Sequence, residues 1–287
     1  MKGIVLSAGK GTRLYPMTKP CCKPLLPIYD KPMICYPLAT LMMAGITEIL
    51  VIVPPGGEGP FRELLGDGSR YGVSVSYREQ LVPRGIADAF MVGEEFIGSD
   101  DVCLILGDNI FYGPHFSDDL KKAASLKEGA TVFGYYMEDP RPFGVVEIGE
   151  NGKALSIEEK PAKPKSNYII PGLYFYDNRV VEIAKTVTPS ARGELEITAV
   201  NNAYLDQGAL CVIPLANEFS WFDTGTAESM YQAASAVRGY QGETGEQLGN
   251  LEAIAYGHGL IDREALAKAA EELSATEYGR YLQSLLV

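Results

Sequence analysis

The sequence predicts an α/β protein with a mainly parallel sheet flanked by helices, a small antiparallel insertion and a C-terminal helical segment. Continuous apolar runs at 3–6, 48–53 and 102–106 are typical of buried parallel strands, and helical patterns separate them. Shorter runs joined by turns after about residue 130 predict the antiparallel insertion. Because strands alternate with helices, we expect a Rossmann-like sheet that is covered on both faces.

The elements of the first half follow in order. A proline opens a mostly apolar helix at 32–44, and Gly45 closes it. Further along, the pattern predicts a helix at 60–66, a strand at 73–77 and a helix at 86–96.

The pattern of strands and helices is less regular in the second half of the chain. Strands are predicted at 131–137, 145–148, 154–158 and 172–176, and helices at 194–207, 226–238, 262–273 and 277–286. We therefore expect a main α/β domain over 1–240, which contains the insertion at about 130–225. A C-terminal helical extension over 241–287 would pack on the core or on a neighbouring subunit through its apolar face.

Composition limits the kinds of partner. The chain has 287 residues, and 37 acidic against 25 basic residues give a formal net charge of −12. This balance argues against nucleic-acid binding, which needs a basic stripe. No apolar run has the length of a membrane span or of a signal peptide, so we expect no membrane partner. The five cysteines form no disulfide framework, and a cytoplasmic protein with reduced thiols is expected.

A glycine-rich loop directly follows the first strand, in Ser7-Ala8-Gly9-Lys10-Gly11-Thr12-Arg13. Glycines let backbone N–H groups close on an anion, and the cations neutralise its charge. Residues 1–31 hold six basic side chains against the single acid Asp30, which favours a compact anion such as a triphosphate. The loop matches neither the Walker pattern nor the dinucleotide fingerprint. An ordinary glycine-containing turn is the alternative.

Two aspartates lie where a parallel sheet binds ligands. Asp108 follows the strand at 102–106, and Asp223 precedes a predicted helix. We expect each aspartate at the end of a strand. Together they could hold one Mg²⁺, which takes one or two protein carboxylates when it is bound to nucleotide phosphates. Taken singly, Asp108 could close an Asx-turn and Asp223 could be a helix N-cap.

Two further charged motifs allow a site or a plain structural role. Glu158-Glu159-Lys160-Pro161 could bind sugar hydroxyls and a phosphate, or be a solvated charge run before a proline. Residues 190–196, SARGELE, are also consistent with an ordinary helix start that has carboxylates in its first turn.

Taken as a set, the motifs carry a family resemblance. The segments are LSAGKGTRL (6–14), KPLLP (23–27), LGDNIFYG (106–113), EEKP (158–161), SARGELEIT (190–198) and WFDTGT (221–226). With them the whole chain resembles the sugar-phosphate nucleotidyltransferases, most closely those that transfer deoxythymidylate to glucose 1-phosphate. The resemblance implies Mg²⁺ as cofactor and a homotetramer. It implies deoxythymidine triphosphate (dTTP) and glucose 1-phosphate as substrates, with dTDP-glucose and pyrophosphate as products. A uridylyl- or broad-specificity transferase and a non-catalytic nucleotide-sugar sensor are the alternatives.

The resemblance also assigns roles to residues. Arg13 and Lys23 would be catalytic, and Asp108 and Asp223 would hold the metal. The nucleotide would contact Leu6, Ala8, Gly9, Gly11, Thr12, Arg13, Lys23, Gln80, Pro83, Gly85, Gly107 and Asp108. The sugar phosphate would contact Asn109, Gly144, Glu159, Lys160, Ile170, Gly172 and Arg192.

The chain departs from the family's usual residues at Pro24, Phe143, Pro171, Ala199, Asn202 and Gly257. Pro24 stands where a glutamine is usual, so it lacks the side-chain amide that could contact the nucleotide. We therefore expect a preference for dTTP with measurable activity on uridine triphosphate.

Overall fold

The computed structural model describes residues 1–125 and 127–287. The strands are β1 Lys2–Leu6, β2 Pro27–Ile28, β3 Lys31–Pro32, β4 Glu48–Val53, β5 Ser74–Glu79, β6 Val102–Leu106, β7 Asn109–Tyr112, β8 Ala130–Tyr136, β9 Gly144–Ile148, β10 Ala154–Glu159, β11 Tyr168–Ile169, β12 Leu173–Tyr176, β13 Leu210–Pro214 and β14 Ser220–Asp223. The helices are α1 Cys35–Met43, α2 Glu58–Leu65, α3 Asp88–Val92, α4 Glu94–Ile97, α5 Phe116–Ala124, α6 Val180–Thr186, α7 Ile197–Asp206, α8 Ala227–Thr244, α9 Leu251–Gly257, α10 Arg263–Glu272 and α11 Glu277–Ser284.

The first half of the chain forms a parallel sheet in the order β5-β4-β1-β6. Alternate side chains of β1 enter different cores: Val5 packs in the cluster that contains α1, and Ile4 packs in the cluster that contains α3. Both faces are therefore buried, which explains the continuous apolar runs and confirms the predicted α/β fold class.

The strands of the predicted insertion extend this same sheet. β12 pairs antiparallel with both β6 and β8, and β11, β9 and β10 follow outward from β8. The described residues thus form one mixed ten-stranded sheet, in which the antiparallel part continues the parallel part.

A short antiparallel ribbon of β7 and β14 lies outside that sheet. A strand was expected to end at Asp223, but none was predicted at 109–112. Trp221 pairs with Phe111, and Asp223 pairs with Asn109. Each strand has only four residues, and apolar side chains follow one another without a polar alternation, so the period-2 signal is lacking. This ribbon brings the ends of two distant segments together.

Three predicted helices differ from the structure, and one of them, predicted at 226–238, continues to Thr244 in α8. The helix predicted at 86–96 is divided into α3 and α4 at Gly93, where a Cβ would lie 2.9 Å from Ile4 Cδ1. The helix predicted from residue 194 begins at Ile197, because Glu196 at its N-cap has extended backbone angles. Residues 190–196 are therefore irregular chain, not the start of a helix.

The first C-terminal helix, α9, packs on the protein's own core, and the buried residues of α10 and α11 form a separate small cluster. Leu251 and Ala255 of α9 join the same hydrophobic cluster as α1. The buried Glu252 accepts from Arg70 Nε at 2.8 Å and from the Tyr278 hydroxyl of α11. Among the described residues, no helix has both the length and the apolar character that a membrane crossing requires. The division into domains at residue 240 stays a prediction.

Candidate active site

A cavity of about 440 Å³ opens beyond the carboxyl ends of β1 and β6. Its volume falls in the range of small-molecule sites, roughly 300–1,000 Å³. The predicted site residues that line it are Leu6, Ala8, Gly9, Arg13, Gln80, Pro83, Gly85, Asp108, Asn109, Gly144, Glu159, Lys160, Ile170, Gly172, Arg192 and Asp223. The structure does not place Gly11, Thr12, Lys23 and Gly107 in the lining.

Residues next to the glycine-rich loop fix its conformation. Gly11 has a φ of 59°, and a Cβ there would lie 2.9 Å from Thr18 Cγ2. The Thr18 hydroxyl donates to the Gly11 carbonyl at 2.7 Å. Behind the loop, a Cβ at Gly107 would lie 2.3 Å from the buried Ser7 Oγ, so β1 and β6 approach too closely for any other residue there. The loop conformation therefore depends on glycine at two positions.

Lys23 lies against one of the predicted metal ligands. Its Nζ is 2.5 Å from Asp108 Oδ2, and its side chain is only 9% exposed. The ammonium thus neutralises one carboxylate from behind the cavity.

The β7–β14 ribbon brings the two aspartates to one end of the cavity. Asp223 is paired with Asn109, the residue after Asp108, and the Thr224 hydroxyl donates to the Asp108 carbonyl at 2.9 Å. Burial and the nearby Asp108 charge raise the pKa of Asp223, while Lys23 and Arg13 act in the opposite direction. Two carboxylates that repel each other at a cavity wall fit a divalent cation, which would offset both charges.

Asn109 connects this end of the cavity to the middle. Its Oδ1 accepts from Trp221 Nε1 at 2.7 Å and from the Gly172 N–H at 3.0 Å, while its Nδ2 donates to Asp108 Oδ1 at 2.9 Å. A Cβ at Gly172 would lie 2.8 Å from Asn109 Oδ1. One buried amide therefore orients Asp108 and fixes the backbone at Gly172.

The loop 80–87 forms the wall beside the glycine-rich loop. Gln80 is buried and donates through Nε2 to Asp88 Oδ2 at 2.8 Å. Gly85 has a φ of 119° and touches the backbone of Leu195. Only glycine fits this position without strain.

The far end of the cavity is built around Glu159. Its Oε2 accepts from the Thr198 hydroxyl at 2.5 Å, and its Oε1 accepts from Arg192 Nη2 at 3.3 Å. A Cβ at Gly144 would lie 3.3 Å from both Glu159 Oε2 and Thr198 Oγ1, so glycine leaves room for this pair. Lys160 follows with a φ of 46°, a left-handed conformation that is uncommon outside glycine and turns the chain after β10.

The comparison with known proteins agrees with this geometry. The family model described as Nucleotidyl transferase matches residues 2–239, which is most of the chain. This chain belongs to the nucleotidyl transferase family. The sequence-based prediction of that family is confirmed, and with it the prediction of an enzyme of the transferase class.

Relatives of this nucleotidyl transferase extend over its full length. A glucose-1-phosphate thymidylyltransferase of Neisseria meningitidis serogroup A is 54% identical over 286 residues, which cover 100% of this chain and 99% of the relative. A protein of the same name from Mycobacterium tuberculosis strain H37Rv is 52% identical, with the same two coverages.

Solved structures share the fold. A putative glucose-1-phosphate thymidylyltransferase from Bacillus anthracis, in complex with a sucrose, gives a TM-score of 0.76 at 42% identity and covers 83% of this chain and 95% of that chain. A UDP-glucose pyrophosphorylase complexed with UDP-glucose gives a TM-score of 0.74 at 24% identity and covers 83% of this chain and 98% of that chain, which supports the fold alone.

The cavity lining of this nucleotidyl transferase also contains residues for which no individual role was predicted from the sequence. They are Ile86, Leu106, Pro142, Phe143, Pro171, Tyr174, Glu194, Glu196, Ile197, Thr198, Asn201 and Trp221 in the lining, and Asp88 behind Gln80. The motif SARGELEIT contains Thr198, but nothing local links it to Glu159. Pro24, by contrast, does not line the cavity.

Proposed function

We propose that the chain is a Mg²⁺-dependent glucose-1-phosphate thymidylyltransferase, which transfers dTMP from dTTP to glucose 1-phosphate and yields dTDP-glucose and pyrophosphate. One observation supports this above the others. A single cavity joins a cationic glycine-rich loop and two carboxylates at one end to a carboxylate–lysine pair at the other. The names of the relatives at 54% and 52% identity support the same substrates.

The nucleotide end would bind the triphosphate. Backbone N–H groups of the loop at Gly9 and Gly11 would face the phosphates, and Arg13 would neutralise their charge. Arg13 Nη2 lies close enough to Gly225 that a Cβ there would be 2.9 Å away, so the guanidinium is beside the Asp223 segment. Lys23 offsets the negative charge of Asp108 at this end through its contact with that carboxylate.

Asp108 and Asp223 would hold the Mg²⁺. When bound there, the ion would neutralise charge on the triphosphate and on the departing pyrophosphate. Asn109 donates to the Asp108 oxygen Oδ1 and leaves Oδ2 to Lys23, which fixes the direction of this carboxylate. Thr224 ties the Asp223 segment to the Asp108 backbone, so both carboxylates are positioned before any ligand arrives.

The opposite end would bind glucose 1-phosphate. Glu159, held by Thr198, would accept hydrogen bonds from sugar hydroxyls. Lys160 is exposed at the turn after β10, where its ammonium would hold the phosphate. Arg192 pairs with Glu159 and Glu196 and would add positive charge beside that phosphate.

These positions support a direct transfer. A phosphate oxygen of glucose 1-phosphate would attack the α-phosphorus in line, and pyrophosphate would leave on the opposite side. The nucleophile is already an anion, so neither a general base nor a covalent enzyme intermediate is required. The residues would act by positioning the two substrates and by offsetting their negative charge.

The wall at 80–87 would select the base. The Gln80 amide can donate to and accept from a pyrimidine edge, and Gly85 lets the backbone come close. Thymine and uracil share that edge and differ by one methyl group, which is worth about 1–3 kcal/mol in a fitted pocket. We therefore expect uridine triphosphate as a slower substrate and purine triphosphates as poor ones, since a two-ring base would collide with the loop.

Pyrophosphate release with each of the four triphosphates, with and without glucose 1-phosphate, tests the proposal. We expect sugar-dependent release that is fastest with dTTP. Efficient turnover of guanosine or adenosine triphosphate would contradict the assignment of Gln80 and Gly85. Binding of nucleotide sugar without any pyrophosphate release would indicate a sensor instead. The homotetramer and the cytoplasmic location stay predictions.

A further inference from the structure

The buried pair Gln80 and Asp88 sits at the cavity wall, and the proposed function assigns no role to Asp88. Gln80 is 4% exposed and Asp88 is 1% exposed. Gln80 Nε2 donates to Asp88 Oδ2 at 2.8 Å, while Asp88 Oδ1 accepts from Arg84 Nη2 at 2.7 Å. Both oxygens of the buried carboxylate therefore have donors.

A carboxylate at this place permits only one orientation of the Gln80 amide. Carboxylate oxygens only accept, so the amide must turn its NH₂ group towards Asp88. The opposite orientation would place the amide oxygen against a negatively charged oxygen and leave the buried carboxylate without that donor. The amide oxygen and the second N–H of Gln80 are thus available to hydrogen-bond a ligand. Their relative positions are fixed by the contact with Asp88.

We propose that Asp88 determines base specificity by fixing these positions, so that the site takes keto pyrimidines and rejects cytosine. Thymine and uracil present an N3–H donor next to a carbonyl acceptor, which matches an amide oxygen next to an N–H. Cytosine presents an N3 acceptor next to an amino donor, which requires the amide in the reversed orientation. The inference rests on the proposed function and names the group that makes Gln80 selective.

The test compares deoxyuridine and deoxycytidine triphosphates, which share the sugar and the phosphates and both lack the 5-methyl group. Their kcat/KM ratio therefore reports only the reading of the base edge. Asp88→Asn keeps the shape of the side chain but can either accept from or donate to the Gln80 amide. Loss of the charge-assisted hydrogen bond that orients the Gln80 amide corresponds to roughly a ten- to hundredfold change in the equilibrium between its two orientations. We expect the dUTP/dCTP ratio to fall by that factor, while the dTTP/dUTP ratio stays unchanged.

A control removes an exposed ion pair of the same spacing elsewhere. Glu58 pairs with Arg62 at the same i,i+4 spacing on α2, away from the cavity, and Glu58→Gln should leave both ratios unchanged. Because a ratio measured on one sample cancels the active fraction, partial unfolding does not affect it. Asp88→Ala provides a second variant, in which Gln80 loses its partner and the same change is expected.

Two results would overturn the inference. One is a parent enzyme that uses dCTP as well as dUTP. The other is a dUTP/dCTP ratio that stays at the parent value in Asp88→Asn and Asp88→Ala while pyrophosphate is still released. Failure of the proposed function is distinguishable, because the parent would then release no sugar-dependent pyrophosphate from dTTP.

Discussion

Gly85 lies in direct contact with the backbone of Leu195, so that a Cβ at position 85 would lie 2.5 Å from the Leu195 carbonyl oxygen. Two hydrogen bonds flank the contact: Leu195 N donates to the Arg84 carbonyl at 2.6 Å, and Ala87 N donates to the Leu195 carbonyl at 3.1 Å. The wall proposed to read the base is therefore joined to the segment that leads to Thr198. We infer that a displacement of the wall at 80–87 also displaces the segment at 195–198.

Gly85→Ala is expected to impair both substrates. The new Cβ would meet backbone atoms, and the φ of 119° is unfavourable for alanine, at a cost of about 1–3 kcal/mol in unfolding free energy. KM should rise for dTTP and for glucose 1-phosphate together. Gly98→Ala is the control, because Gly98 also has a positive φ but has open space around it. The Gly98→Ala variant should lose stability and keep both KM values. If Gly85→Ala raises KM for dTTP alone, the wall at 80–87 and the segment at 195–198 move independently.

Asp108→Asn and Asp223→Asn should each fold normally and lose turnover by orders of magnitude, because each removes a negative ligand from Mg²⁺. Steady-state rates over a Mg²⁺ titration measure the effect. Asp118→Asn, an exposed change on α5, should leave the titration curve unchanged. Near-parent activity of either variant at saturating Mg²⁺ would exclude that residue as a ligand.

The sequence predicted which residues line this cavity better than it predicted the contacts between them. Asp108 and Asp223 are recognisable by residue type and by their motifs, but the β7–β14 ribbon that pairs Asp223 with Asn109 is not. Its strands are four residues long and bury consecutive side chains such as Ile110 and Phe111, so no periodic pattern marks them. Their pairing depends on a partner far away in the chain.

The supporting residues were missed for a related reason. Thr198 holds Glu159, and Asp88 holds Gln80, yet a threonine or an aspartate near a helix start normally indicates only a cap or a charged first turn. Gly85 was predicted as a site residue, whereas the reason for a glycine there is the backbone of Leu195. Tertiary contacts of this kind leave no local signal in a single sequence.

Lys160→Ala should raise KM for glucose 1-phosphate much more than KM for dTTP. The lysine is exposed beside Glu159, at the end of the cavity opposite the glycine-rich loop, so its charge would act on the sugar phosphate. Lys163→Ala, an exposed lysine of the following loop, is the control and should leave both KM values unchanged. An effect confined to dTTP would assign Lys160 to the other substrate.

Thr198→Val removes the hydroxyl that donates to Glu159 and keeps the shape of the side chain. Since hydrogen bonds to charged groups are worth about 1.5–3 kcal/mol, kcat/KM for glucose 1-phosphate should fall roughly ten- to hundredfold. Thr198→Ser keeps the donor and should restore most of the parent value. If the valine and serine variants behave alike, the hydrogen bond is not what positions Glu159.

Asp177→Asn should destabilise the protein in a pH-dependent way without affecting the cavity. Burial raises the pKa of Asp177, but hydrogen bonds from the Arg179 side chain, the Gly129 N–H and the Tyr204 hydroxyl outweigh it and lower the pKa below the ordinary value of 3.8. The folded state therefore binds a proton less readily at Asp177 than the unfolded state does. The stabilisation is fully present above the unfolded pKa of about 4 and is lost as the pH falls through the lower folded pKa.

Urea unfolding at neutral pH should consequently show a loss of about 1–3 kcal/mol in Asp177→Asn, because a buried charged acceptor of hydrogen bonds from three residues has been replaced. The difference from the parent should shrink below about pH 4, where Asp177 of the unfolded parent binds a proton, and it should be lost as the pH falls through the lower folded pKa. Asp139 is the matched control: it precedes Arg141 at the same spacing and pairs with it, but on the exposed surface. Asp139→Asn should therefore change the unfolding free energy little at either pH, since solvent screens such a pair. A loss in Asp177→Asn that is independent of pH would attribute the destabilisation to packing, not to the charge of Asp177.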